Sequence, residues 1–329
     1  MKRFFILLHL VCFVSLIVGC QRTFETYDVY TTVYPLAFLV ERIGQDVVTV
    51  GLVPGVTSHH DSVDWSAQDI IAMTNASYLF YIGAGFDAYI DQSFIELVKN
   101  KNVELVKLET AVDSQMQLYV PMMEGIHHEH DHDGEEDHHE TTGYLGLDPH
   151  FWMSPKRMIQ AARLVYDKLV LKYPNSASAL SINYQLLLQS LQELSDSFQA
   201  VIDTQTNLAL TATNIYGYLR EDYGFHSLSI SPGYHEETEQ FTTQEKDNIV
   251  QEALIHNIRF IFFEKNSSSP LSNAIVQSLK DAGVTVTILQ YHILHNLFQD
   301  DVSAGRDYIQ IMQSNLEFIR TATVSPEME

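Results

Sequence analysis

Six histidines (His127, His128, His130, His132, His138, His139) and eight carboxylates share the 17 residues from Glu124 to Glu140, after which the chain reaches Asp148-Pro149-His150. Imidazole nitrogen and carboxylate oxygen are the donors that borderline divalent cations such as zinc accept, and no packed core could bury so many of them. A merely acidic, solvated loop is the plain alternative. Six imidazoles within 13 residues are an unusual way to build one. The tract points to a transition metal, but having no fixed geometry it does not say what is done with it.

Two shorter segments offer donors in more constrained settings. Pro54-Gly55-Val56-Thr57-Ser58-His59-His60-Asp61 follows the apolar run Val47–Val53 and delivers two adjacent histidines to a loop just ahead of a helical pattern. In Leu147-Asp148-Pro149-His150-Phe151-Trp152-Met153-Ser154-Pro155, proline fixes the approach to His150, and Ser154 and Pro155 suit the N-cap and N1 positions of the next helix. A stiff turn suits a ligand, because a site already in place has no ordering cost on binding.

The elements that must position these residues alternate. Short β-branched and aromatic runs at Tyr27–Val33, Val47–Val53, Tyr78–Ile82 and Val103–Leu108 predict strands, with amphipathic helices over Pro35–Ile43, Ser66–Asn75 and Phe86–Lys99 between them. The scheme repeats with strands at Leu208–Thr213, Ser227–Ser231, Ile258–Glu264 and Val284–Gln290, and helices near Tyr216–Asp222, Thr243–His256 and Leu271–Ala282. Such alternation predicts an α/β protein of two similar lobes, each a parallel sheet with flanking helices. Between them, Pro155–Lys172 and Ser176–Asp203 have helical spacing almost without Gly or Pro, and the second is long enough to join the lobes as one rigid backbone helix. The expected divisions are a leader at 1–19, a first lobe at 20–165 that carries the histidine tract, a linking helix at 166–205 and a second lobe at 206–329. Ligands of open α/β sheets bind beyond the carboxyl ends of the strands, where the His59-His60 loop falls.

Lys2 and Arg3 precede an apolar run, Phe4–Val18, that is short for a mature membrane span and suits a secretory leader. It ends Leu16-Ile17-Val18-Gly19-Cys20, similar to a bacterial lipobox whose cysteine is lipidated; an uncleaved anchor is the alternative, and either one tethers the rest of the chain outside the membrane. Cys12 lies inside the leader and Cys20 would carry lipid, so no disulfide and no thiolate ligand is available to the mature protein. Removing the leader leaves 17 basic side chains against 42 acidic ones, a net charge of −25. That field repels nucleic acid and anionic headgroups and concentrates cations, so nucleic-acid binding is set aside.

Taken together, Tyr34-Pro35-Leu36, Pro54-Gly55 followed by His60, Asp148 to Pro155, Tyr216-Gly217-Tyr218-Leu219 with Tyr223-Gly224, and Ile261-Phe262-Phe263-Glu264 make the mature chain resemble the metal-binding lipoproteins of bacterial ABC importers for zinc and manganese. In that family an acidic His-rich loop ahead of the Asp-Pro-His turn marks the zinc branch. The resemblance therefore implies Zn2+ as cargo, with Mn2+ as the alternative. It implies as partners an ABC permease and its ATPase, a lipid anchor in the outer face of the cytoplasmic membrane, and a monomer.

Carried over by position, the family's first ligand falls on His60, with His59 as the fallback, and the second on His150. The third, a His or Glu three residues before Tyr216, is Thr213 here, a poor zinc ligand. The fourth, a carboxylate after the last strand, falls in Gln290-Tyr291-His292-Ile293-Leu294-His295, with His292 expected to supply a nitrogen and His295 left open. His235 and Glu264 are further candidates for the vacancy, Glu264 more readily as a structural carboxylate. The expected site is thus His60, His150 and His292, with His235, and Cys20 as the lipidated residue. A surface adhesin or metal-buffering protein on the same fold, and a secreted zinc hydrolase with three ligands and an open position, are the competing readings.

Imidazole must be deprotonated to ligate, and its ordinary pKa is about 6.5. Metal affinity is therefore expected to fall as pH drops below that value, which zinc titrations at stepped pH would measure.

Overall fold

In the computed structural model, residues 26–55, 63–111, 148–231, 242–267 and 270–325 are described. The expected leader, Cys20, His59, His60, the histidine tract and His235 lie outside them.

All eight expected strands form, each shorter than its apolar run: β1 Val29–Thr31, β2 Val50–Leu52, β3 Tyr78–Tyr81, β4 Glu104–Lys107, β5 Ala209–Thr211, β6 Ser227–Ser229, β7 Phe260–Glu264 and β8 Thr287–Tyr291. β1, β3 and β5 are buried at every position, which is why they read as continuous rather than alternating apolar runs. Both sheets are wholly parallel and share one topology, β2-β1-β3-β4 in the first and β6-β5-β7-β8 in the second. The order reverses between β1 and β3 and between β5 and β7, so each sheet has a crevice at that boundary beyond its carboxyl edge.

The helices are α1 Tyr34–Gly44, α2 Ala67–Asn75, α3 Pro155–Lys172, α4 Ala177–Ile202, α5 Gly217–Tyr223, α6 Thr243–Ile255, α7 Pro270–Asp281, α8 Gln299–Ser303 and α9 Tyr308–Thr323. The helix expected at Phe86–Lys99 forms as one helical run over residues 88–97, whose middle, Ile90–Phe94, is wound as a π-helix. Ahead of it, the buried Asp87 carboxylate accepts from the amides of Ile82 at 2.5 Å and Gly83 at 3.1 Å and holds the preceding loop. Among the described residues no helix is long and apolar enough to cross a membrane.

α4 spans 26 residues, roughly 39 Å. Its buried face of Leu180, Tyr184, Leu187, Leu191, Leu194, Phe198 and Val201 keeps helical spacing throughout. It is not a bare rod between lobes. It packs against α1, α3 and α9, and one continuous hydrophobic cluster runs from Val29 and Phe38 through α4 to Phe262 and Tyr291. Two smaller clusters lie apart from it, one around Leu79 and Phe94 and one around Ile261 and Leu279. A shared core of this kind leaves little freedom for one lobe to swing on the other.

A polar lock reinforces the junction. Ser154 takes the N-cap position of α3 and Pro155 N1, but the serine hydroxyl does not cap; it donates to Asp222 of α5 at 2.5 Å. Arg157 reaches the same carboxylate through Nε at 2.8 Å and Nη2 at 2.7 Å, both side chains being only 10% exposed. Asp222→Ala, which deprives Arg157 of this bidentate partner, is expected to lower unfolding stability by about 3 kcal/mol in urea titrations. An Asp222→Leu/Arg157→Leu pair should lose less.

Candidate metal centre

His150 leaves its turn with its ring direction already fixed. Asp148, two residues earlier and wholly buried, accepts from the His150 amide at 2.9 Å and meets its Nδ1 at 2.9 Å through the same Oδ1. A carboxylate acceptor at Nδ1 assigns the ring proton there and aims the Nε2 lone pair away from the turn, the arrangement that metal-ligating histidines ordinarily show. Burial pushes the Asp148 carboxyl well above its ordinary pKa, opposed by the His150 amide and by the Arg220 guanidinium. A cation at Nε2 would act in the same sense as Arg220. The second oxygen, Oδ2, is buried without a hydrogen-bond partner among the described residues.

The ring that faces His150 belongs to His295. Their centroids are 5.3 Å apart with 25° between planes, a stacked pair formed by the first lobe's turn and the chain beyond β8. Trp152 lies 5.1 Å from the His150 ring and 5.5 Å from that of His295, and Phe86 lies 6.2 Å and 5.4 Å from them. Phe86 reaches this place from the loop after β3, where Gly83, Ala84 and Gly85 all have positive φ, of 85°, 52° and 79°. The Glu109 carboxylate accepts from the Ala84 amide at 2.6 Å and so holds that conformation in a non-glycine residue. The two imidazoles therefore meet between aromatic walls that limit water.

His292, expected as a ligand, is committed elsewhere. Its Nδ1 accepts from the Leu294 amide at 2.9 Å and its Nε2 lies 3.0 Å from Asp301, so neither ring nitrogen is left for a metal in this arrangement. Burial lowers its pKa despite the neighbouring Asp301 carboxylate. The family position falls on His292, but the left-handed Leu294, with φ 64°, turns the chain so that His295, three residues on, is the ring that meets His150.

Thr213, at the position of the family's third ligand, donates its hydroxyl to Glu264 Oε1 at 2.8 Å. β5 and β7 are neighbours in register, so the bond crosses the crevice of the second sheet at its carboxyl edge. Among the described residues no three His, Cys, Asp or Glu side chains gather closely enough to hold an ion. Two imidazoles, those of His150 and His295, are what the described residues bring together.

Comparison with known proteins bears on this arrangement. A family model described as zinc-uptake complex component A periplasmic (ZnuA) matches residues 29–322. The zinc-binding lipoprotein AdcA of Streptococcus pneumoniae (strain ATCC BAA-255 / R6) is 26% identical over 327 residues, covering 98% of this chain and 61% of that protein. The chain thus spans about three fifths of that relative's length. The manganese-binding lipoprotein MntA of Halalkalibacterium halodurans is 22% identical over 304 residues, covering 91% of this chain and 89% of its own. The Zn(II)-bound ZnuA-like domain of Streptococcus pneumoniae AdcA superposes with a TM-score of 0.68 at 22% identity, over 92% of this chain and all of that one (100%). The periplasmic zinc binding protein TroA from Treponema pallidum gives 0.70 at 18% identity, over 92% and 100%. At these identities the structural likeness bears on the fold, which is the same two-lobe architecture.

Thr213→Val keeps the shape of the side chain and removes its hydroxyl. Glu264 then loses a charge-assisted hydrogen bond, and stability is expected to fall by about 2 kcal/mol in denaturant titrations.

Proposed function

The chain belongs to the family of zinc-uptake complex component A periplasmic proteins, and on that premise we propose that it captures zinc outside the cytoplasmic membrane and delivers it to an ABC permease driven by a cytoplasmic ATPase. The observation that carries this reading is the His150–His295 pair, stacked where the two lobes meet, with His150 oriented from behind by a buried carboxylate. Zinc is held by His150 through Nε2, by His295, and by His60 from the loop after β2. His235 is the remaining candidate for a fourth position. Cys20 carries the lipid that keeps the protein, as a monomer, at the outer face of the membrane.

The donor set favours zinc. Neutral nitrogen donors leave the ion its full double charge, which borderline ions tolerate better than oxygen-seeking manganese does. Asp148 partly offsets that charge through the His150 ring. The printed name of the Halalkalibacterium relative keeps Mn2+ as the alternative cargo. The tract from Glu124 to Glu140 serves as a weak collector that raises local zinc concentration without forming the tight site. Binding with two-lobe enclosure and handover, rather than turnover of a substrate, is the chemistry this arrangement suits.

Elemental analysis after dialysis against mixed zinc and manganese tests the reading, with the chain starting at Cys20 and residues 124–140 deleted. One tightly held zinc per chain is expected, lost in His60→Ala, His150→Ala and His295→Ala. No retained metal once the tract is gone would overturn it, since the tract would then be all the metal chemistry present. Thr213→His, which restores a nitrogen at the family's third position, is expected to tighten zinc binding about tenfold in chelator competition.

A further inference from the structure

We propose that His292 is a positioning residue for zinc capture: it clamps the left-handed Leu294, and that clamp is what brings His295 against His150. The proposal rests on the reading of His295 as a ligand. β8 ends at Tyr291, and within four residues the chain must turn back to the first lobe, where the His295 carbonyl accepts from the Tyr34 amide at 2.9 Å and the Ile293 carbonyl accepts from Trp152 Nε1 at 2.9 Å. The reversal occurs at Leu294, whose φ of 64° is uncommon for a side chain of its bulk and which is fully buried. No glycine eases that turn. Its amide instead finds an acceptor in His292 Nδ1 at 2.9 Å.

An acceptor at Nδ1 requires the proton on Nε2, which donates to Asp301 Oδ2 at 3.0 Å. Asp301 is itself wholly buried and held by Lys265 Nζ at 3.0 Å, by the Arg306 guanidinium and by the Phe298 amide at 3.3 Å. Asn315 completes the hold on the backbone, accepting from the His292 amide at 3.0 Å and donating to its carbonyl at 2.8 Å. The ring is thus fixed at both nitrogens, in one tautomer, by groups of the second lobe alone. What it transmits to the site is the course of the chain into His295.

The acceptor can be separated from the imidazole by substitution. His292→Asn places a carbonyl oxygen where Nδ1 stands and gives up Asp301. His292→Phe keeps the ring's bulk and gives up both bonds. In zinc titrations with a competing chelator, the Phe variant is expected to bind about 30-fold more weakly at unchanged stoichiometry, and the Asn variant within about threefold of the unaltered protein. Co(II)-loaded protein should show a changed visible d–d absorption in the Phe variant and an unchanged one in the Asn variant; a merely structural role would lower the melting temperature and leave that spectrum alone. His292→Gln, which can still reach Asp301 but offers no acceptor at the Nδ1 position, replaces Phe should that variant not fold, and is expected to behave like it. Phe or Gln variants that bind zinc as the unaltered protein does would overturn the proposal. So would an Asn variant as weak as the Phe variant, because the imidazole itself would then be required. His295→Ala run beside them separates the two readings: full affinity there overturns His295 as a ligand, whereas loss there with no loss in the Phe variant overturns the clamp alone.

Discussion

A carboxylate with no access to water is costly to keep, and Asp148 has none: its exposure is 0%. What offsets that cost is His150, which offers both its amide and its ring nitrogen to a single oxygen. Pro149 between them fixes the backbone so that both bonds can form at once. The rest of the junction follows from this turn. Tyr218 donates to the Asp148 carbonyl at 2.7 Å and Tyr308 to the Trp152 carbonyl at 2.7 Å, so α5 and α9 are docked on the same few residues that aim the imidazole. The core beneath and the histidine above therefore share one support, and a disturbance of either reaches the other.

The two sheets contribute in parallel ways. Each has a held chain segment beyond the strands of its order reversal: Gly83-Ala84-Gly85-Phe86 after β3, and Thr213 with Glu264 at the ends of β5 and β7. In both, a carboxylate holds the loop, Glu109 through the Ala84 amide and Glu264 through the Thr213 hydroxyl. Backbone amides and hydroxyls thus engage these two acidic groups. A chain with so large an excess of negative charge uses these carboxylates to shape its loops as well as to attract cations.

Much of this was legible in the amino-acid sequence because it depends on periodicity. Buried parallel strands read as apolar runs, and α3 and α4 carry unbroken helical spacing, so the two-lobe α/β plan and the linking helix could be drawn from pattern alone. α9 is open to the same reasoning, since Asp307 and Gln310 form a capping box ahead of Ile311, Met312, Leu316 and Ile319, yet it is absent from the elements expected above. The π-helical winding inside the helix expected at Phe86–Lys99 was less accessible, since apolar spacing does not mark it. At the centre, His150 stood out by its stiff turn, but the choice between His292 and His295 depends on the sign of one backbone angle at Leu294. Apolar pattern carries no information about that angle. Nor does it say that Asp148 orients the ring, although an aspartate two residues before a histidine, across a proline, is a signal that could be sought elsewhere.

α9 has a consequence for how the protein is made. Tyr308 packs on Phe38 of α1 with ring centroids 5.3 Å apart, Asp307 pairs with Arg42 at 3.0 Å, and the Thr323 carbonyl accepts from the amides of Thr206 and Asn207. The first helix described is thus roofed by the last. During synthesis, when domains ordinarily fold in the order they emerge, α3 and α4 can cover part of α1, but its contacts with α9 wait until more than 250 further residues have followed it. The packing around α1 is therefore closed only when the last described helix has been made.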